Sequence, residues 1–216
     1  MQTLTGSQLR ELVENELSWD PEVTPDTISV LADDGVVTLS GFVGTYAERL
    51  AAGRAALRIV GVRSLANDLV VRLPDERLDS EIAHDVATAL RFNLNVPSRV
   101  KANVHDGFVT LQGEVTWQFQ KYAAEQAVQH IKGVRDVVNT ITLTAPTSVP
   151  IVKAKIEAAL ERSAQVEARR VKVQALDSKI VLSGTVRSYA EKEEAARAAW
   201  ASPGVTAVDN QLSIVA

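Results

Sequence analysis

The sequence predicts an α+β protein made of three tandem α-β-β-α-β two-layer sandwiches, each a small mixed three-stranded sheet with two helices on one face. Three observations lead there. Val37-Thr38-Leu39-Ser40-Gly41-Phe42-Val43 recurs as Val109-Thr110-Leu111-Gln112-Gly113-Glu114-Val115 and as Val181-Leu182-Ser183-Gly184-Thr185-Val186, so the glycines stand 72 and 71 residues apart. Gly61-Val62, Gly133-Val134 and Gly204-Val205 repeat the same steps, and so do Asn67, Asn139 and Asn210. A period of about 72 residues is too long for a solenoid repeat and long enough for a small domain with its own core. The third observation is composition: Leu73-Pro74-Asp75 and Ala145-Pro146-Thr147-Ser148-Val149-Pro150 read as short linkers. The expected domains are therefore 1–74, 75–146 and 147–216. Small cores of this size are marginal alone, so support from neighbouring copies is expected.

The first element of each copy reads as a helix, because apolar residues fall at i, i+4 and i+8: Leu9, Val13, Leu17; Ile82, Val86, Leu90; Val152, Ile156, Leu160. Pro150 stands where the third helix would begin, a tolerated place. Two alternating stretches follow, Ile28-Ser29-Val30 and Val36 to Val43 in copy one, broken by Asp33-Asp34-Gly35. Alternation interrupted by Asp-Gly signals a hairpin. Copy two keeps Asp106-Gly107, whereas copy three has Asp177-Ser178-Lys179. If Ser178 must take the dihedrals of the glycine, that turn costs roughly 1 kcal/mol more.

The second helix carries an inward stripe at i, i+3, i+4, i+7: Ala52, Ala55, Ala56, Ile59; Ala124, Ala127, Val128, Ile131; Ala195, Ala198, Ala199, Ser202. Small side chains bring a helix axis close to a sheet, which favours a compact sandwich over a cavity. Gly61, Gly133 and Gly204 are expected to end this helix as C-caps. A last strand then runs through Leu65 to Leu73, Val137 to Leu143 and Val208 to Val215. A hairpin combined with a β-α-β crossover makes the sheet mixed.

This order of helix, Asp-Gly hairpin, Val-x-Leu-x-Gly-x-Val, alanine-rich helix, Gly-Val and Asn-containing strand resembles the BON domain, named for bacterial osmotically inducible and nodulation proteins. The resemblance covers nearly all of the chain and rests on structural glycines and apolar positions. It implies a non-enzymatic module that binds phospholipid or associates with the cell envelope in osmotic stress. The chain departs from the pattern at Ser178, and exported relatives begin with a signal or lipoprotein leader. Here Met1 to Gln8 show neither a basic nor an apolar leader region, and no window reaches the ~18–20 apolar residues of a membrane helix. The expectation is a cytoplasmic protein, or a periplasmic one if the chain is a processed form.

Composition excludes several chemistries. With 46% hydrophobic residues, 5% aromatics and no cysteine, the chain has no disulfide, thiolate nucleophile, Cys-ligated zinc or lipidated cysteine. A net charge of −4 argues against a nucleic-acid partner. No carboxylate pair, phosphate loop or dinucleotide fingerprint is spelled, so no enzyme activity and no cofactor are expected. His84, His105 and His130 all lie in copy two without metal-ligand spacing. Ser40-Gly41 and Ser183-Gly184 belong to strands, not to nucleophile elbows. Gly41-Phe42-Val43-Gly44 has the spelling of a GxxG loop but recurs in neither other copy.

Charge is distributed unevenly. Residues 1–74 carry 6 positive and 10 negative groups, 75–146 carry 7 and 9, and 147–216 carry 10 and 8. The end of the first helix, the start of the first strand, the end of the second strand and the start of the second helix share one pole of each sandwich. In copy three those places hold Arg162, Arg169, Arg170 and Arg187, partly offset by Glu161 and Glu167. The same places hold Trp19, Asp26, Thr27 and Gly44 in copy one, and Phe92, Ser98, Arg99 and Thr116 in copy two. The third pole also receives the positive end of a helix dipole, which suits a phosphate-bearing headgroup or an acidic protein segment. Trp117 and Phe92 belong near the second pole. Trp200 flanks the inward stripe where the other copies have Leu57 and Gln129, either covering its own sheet edge or anchoring an interface.

Two functions follow as expectations. One is a stress- or envelope-associated binding protein whose third copy recognises anionic phospholipid or an envelope protein. The other is a soluble interaction scaffold or chaperone-like protein that takes polypeptide through Trp200, Trp117 and the grooves between copies.

Overall fold

The computed structural model describes residues 4–73, 76–144, 153–163 and 168–215. In the first copy, α1 (Gly6–Trp19) begins at Thr5, whose hydroxyl accepts the Gln8 N–H at 3.3 Å while the Gln8 side chain accepts the Thr5 N–H at 3.0 Å. This reciprocal cap satisfies two donors that the helix cannot. Leu9, Val13 and Leu17 form its buried face, as the periodicity predicts. Then come β1 (Ile28–Asp33), β2 (Val36–Val43), α2 (Tyr46–Arg58) and β3 (Ser64–Val71). β2 is central, antiparallel to β1 from Ile28↔Gly41 to Asp33↔Val36 and parallel to β3 from Val36↔Ser64 to Val43↔Val71. α1 lies on β1, α2 lies on β2 and β3, and the two helices touch.

The second copy repeats this with α3 (Asp79–Phe92), β4 (Lys101–His105), β5 (Phe108–Gln112), β6 (Glu114–Val115), α4 (Gln118–Val128), β7 (Asp136–Asn139) and β8 (Thr142–Leu143). The third has α5 (Lys153–Arg162), β9 (Val171–Leu176), β10 (Lys179–Val186), α6 (Tyr189–Trp200) and β11 (Ala207–Ile214). Its sheet order, β11-β10-β9, matches the first, with one antiparallel and one parallel pairing. Pro74, Asp75, the stretch 145–150, Val152 and Glu167 lie outside the described residues.

The alanine stripe is buried as expected: Ala52, Ala55, Ala56, Ala124, Ala195 and Ala199 are fully covered. The repeated asparagine explains how this helix is fastened to the sheet. Asn67, Asn139 and Asn210 each donate a side-chain N–H to a carbonyl of the neighbouring helix, of Arg49, Lys121 and Lys192, at 3.0, 3.1 and 3.1 Å. Their carbonyls accept N–H groups of Leu69, Ile141 and Leu212 two residues on. A side chain with both a donor and an acceptor is needed, which valine or aspartate would not supply.

Four details differ from the sequence reading. Gly61, Gly133 and Gly204 do not cap the second helix, which ends at Arg58, Val128 and Trp200. They stand later, at φ of 101°, 101° and 84°, in the turn that leads into the last strand. Ser178 does not enter the left-handed region; only Asp177 of that hairpin does, at φ 51°. The expected strain is therefore not incurred, and Ser178 accepts through its backbone oxygen from Thr206 N–H at 2.9 Å. The last strand of copy two is split into β7 and β8, although Thr140 N–H to Leu111 and Thr142 N–H to Gly113, both 2.9 Å, carry the ladder across the gap. Finally, the first and last strands of copy one are shifted slightly from the expected ends, as is common where strands fray.

Copies one and two share a continuous apolar core, whereas copy three has a separate one. The joint between the first two is made by the start of α2. Tyr46 is only 5% exposed and faces Asp136 and Glu125 of copy two. One turn further on, Arg49 pairs with Asp136 at 3.3 Å. Between the start of α4 and the α6–β11 face of copy three there is instead a cleft, and α6 lies against α2.

Candidate functional site

Two places in the fold gather the side chains singled out from the sequence. The first is the pole of copy three. Arg162 closes α5, Arg169 and Arg170 form the 3-10 turn that enters β9, and Arg187 follows the end of β10. The antiparallel register Gly184↔Val171 brings the last two segments side by side, and all four arginines are exposed. The start of α6 already holds a carboxylate: Arg187 N–H donates to Glu191 Oε2 at 2.7 Å, and Glu191 N–H donates to Ser188 Oγ at 3.2 Å. Glu48 does the same in copy one, accepting the N–H groups of Thr24 and Gly44, both at 2.8 Å. Copy two uses the neutral Gln120, which accepts from Thr116 and Trp117. The dipole end is thus served from within the chain, and the cationic character of the third pole resides in its guanidinium groups.

The equivalent poles carry exposed aromatics instead. Trp19 is 85% and Phe92 72% exposed, with the Arg91 guanidinium 4.9 Å above the Phe92 ring. Phe92 does not line the cleft that holds the two tryptophans.

Those tryptophans meet in the second place, a cleft of about 870 Å³ between copies two and three. Trp117, Phe119 and Tyr122 come from the start of α4; Trp200 and Ala196 come from α6, and Val208 from β11. Trp117 and Phe119 stack at a tilt, ring centroids 6.5 Å apart. Phe119 and Tyr122 escaped the sequence reading. The signal was present: the other copies have Ala47 and Leu50, or Ala190 and Glu193, at those positions.

A third cluster was also missed. Asp79, His105 and Asp106 place one potential ligand atom each within 4.8 Å of one another, although their spacing announces no metal set. Both Asp79 oxygens are engaged, accepting N–H groups of Asp106 at 2.8 Å and Gly107 at 2.9 Å. These bonds hold its carboxyl below the usual carboxylate range, and the arrangement ties the hairpin to the start of α3. A lowered folded pKa means stability that is present above the ordinary aspartate pKa and lost as pH falls through the folded value. Asp79→Asn is accordingly expected to lower the shared denaturation midpoint of copies one and two at neutral pH and to flatten its decline below about pH 4, measured by denaturant titrations at several pH values.

Comparison with known proteins agrees with the repeat. Osmotically-inducible protein Y of Escherichia coli (strain K12) is 38% identical over 121 residues, covering 53% of this chain and 60% of that protein. This chain thus spans less than two thirds of that relative's length. The C-terminal domain of CdsD, the structural protein of the Type III secretion system of Chlamydia trachomatis, is 13% identical, covering 99% of this chain and 100% of that one with a TM-score of 0.25. A second CdsD structure is also 13% identical, covering 95% and 91% with a TM-score of 0.25. The BON domain itself matches residues 5–72, 78–145 and 148–216. With nearly every residue inside one of those three matches, the chain belongs to the BON-domain family and carries the domain in tandem three times.

Proposed function

We propose that this protein is a non-enzymatic, stress-associated binding protein that attaches to anionic phospholipid through the pole of its third BON domain. The observation that carries this is the convergence of Arg162, Arg169, Arg170 and Arg187 from separate elements onto one exposed end. A basic residue near an anionic bilayer contributes ~1 kcal/mol, so four give an attraction of a few kcal/mol at low salt. The osmotic response in the name of the Escherichia coli relative supports the stress association. Among the described residues no helix is long and apolar enough to cross a membrane.

The test is co-sedimentation of the full chain with vesicles of phosphatidylcholine alone or mixed with phosphatidylglycerol. Binding is expected only to the mixed vesicles, falling as salt rises because the exposed charges are screened within ~8 Å at physiological ionic strength. Arg169→Glu with Arg170→Glu should abolish it. Equal binding to both vesicle types, or none to either, would show that the pole is an ordinary solvated surface.

A further inference from the structure

The three copies are not joined alike. Between copies one and two the apolar core runs on without a break, the Tyr46 ring is buried facing Asp136 and Glu125, and Arg49 crosses the joint. Arg49 can cross because its guanidinium is forked: one nitrogen stays on the Asn67 carbonyl of its own copy at 3.3 Å while another reaches the Asp136 carboxylate at 3.3 Å. The two side chains of this pair are only 26% and 34% exposed, which shelters it from salt screening.

Each part of that joint is replaced between copies two and three. Counting by the repeat, Gln118 stands for Tyr46, Lys121 for Arg49, Ala196 for Glu125 and Ala207 for Asp136. Gln118 brings no ring, and neither alanine brings a carboxylate. Lys121 has one nitrogen where arginine has three, and it sits on the Ile141 carbonyl of its own copy at 2.7 Å. Gln118 and Ala196 line the cleft, so the cleft lies where the sealed joint would be. Copy three keeps a core of its own and rests on copy one by packing α6 against α2. Domains of one chain that share no large apolar surface move relative to one another as a rule.

We infer that the third domain is a hinged module, which docks on and leaves the rigid pair formed by the first two. It moves as one body, because α5, α6 and the sheet β11-β10-β9 form a complete sandwich around their own core. The substitutions at the joint set this motion, and the cleft widens and narrows with it. The motion carries the arginine pole relative to copies one and two, whatever that pole binds.

The chain has no cysteine, so spin labels can be placed singly. Ser29→Cys, Lys101→Cys and Lys172→Cys put one at the same exposed register position in the first strand of each copy. Pulsed electron-spin resonance on labelled pairs should give one narrow distance between copies one and two. Between copies two and three it should give two, the longer from the undocked domain. Gln118→Tyr with Lys121→Arg and Ala207→Asp rebuilds the chemistry of the first joint and should lower the longer population about tenfold. The inference is overturned if the distance between copies two and three is as narrow as that between one and two. It is equally overturned if the rebuilt joint, its fold checked by circular dichroism, leaves the longer population unchanged. Small-angle X-ray scattering by the unlabelled parent gives a check free of any substitution: a single docked shape that accounts for the whole curve refutes the motion.

Discussion

Gly41→Ala is expected to destabilise the first two domains by roughly 3 kcal/mol or more. Two effects combine. Gly41 has φ 118°, outside the left-handed region that L residues tolerate, and a Cβ added there would collide with the carbonyl oxygen of Thr27, in the turn that leads into β1. The collision is with backbone, which cannot swing aside as a side chain can. Gly113 and Gly184 share the arrangement, at φ 132° and 118° against the carbonyls of Arg99 and Arg170. The glycine lets β2 bend while the residues beyond it keep their inward alternation: Val37, Leu39 and Val43 are all buried. Because copies one and two share a core and copy three does not, the location of the damage should differ. Gly41→Ala should lower the denaturation transition of copies one and two together, whereas Gly184→Ala should lower that of copy three alone. Amide hydrogen exchange through a urea titration separates the two, because it reads the residues of each core individually.

The second large effect concerns the joint. Tyr46→Ala removes a buried ring at a place where the surrounding helices and strand belong to two domains, and truncations of buried aromatics typically cost about 3–5 kcal/mol. Beyond the loss in midpoint, the single transition of copies one and two should broaden or divide, because the ring that couples them is gone. Tyr46→Phe keeps the ring and loses only the hydroxyl, so it should cost about 1 kcal/mol or less and leave the transition sharp. Burial, together with the Asp136 and Glu125 carboxylates, pushes the Tyr46 pKa up to about 12. The unfolded chain sheds this proton near pH 10, whereas the folded one retains it. The stabilisation is therefore complete below about pH 10 and is lost as pH rises towards 12. Tyr46→Phe should lose less stability over that window than the parent protein, as read from urea midpoints at stepped alkaline pH. Tyr189 is also raised by burial, so some alkaline loss should persist in the variant.

The sequence carried the fold wherever local chemistry decided it. Leu9, Val13 and Leu17, or Val37 and Leu39, announce their elements because 3.6-residue and two-residue spacings leave little choice of face. Asp34-Gly35 announces its hairpin because few dihedrals close a two-residue turn. It misled at Gly61, Gly133 and Gly204, where a positive φ was rightly required but was assigned to the helix end rather than to the following turn. A helix terminus and a turn ask for the same dihedral, so residue type alone does not separate them. The sites were less legible for another reason. Trp117 and Trp200 lie 83 residues apart by their numbering, and nothing local to either says that the two meet. Tyr46, Arg49 and Asp136 look like ordinary surface residues of a helix and a strand start until two domains are placed together. The arginine pole was easier to read, because chain topology within one domain fixes which element ends are neighbours.

The joint made by Tyr46 also bears on how many copies can stand together. It is a head-to-tail contact, one surface of a domain meeting a different surface of the next, and contacts of that kind propagate: they generate an open filament unless the rotation between neighbours brings the series back to its start. Here the third domain returns, with α6 resting on α2. The covalent linkers keep the three domains at a high effective concentration for one another, whatever the concentration of the protein. Shortening the series to two would leave one surface of each kind exposed on the same molecule, the condition under which such contacts begin to join molecules end to end.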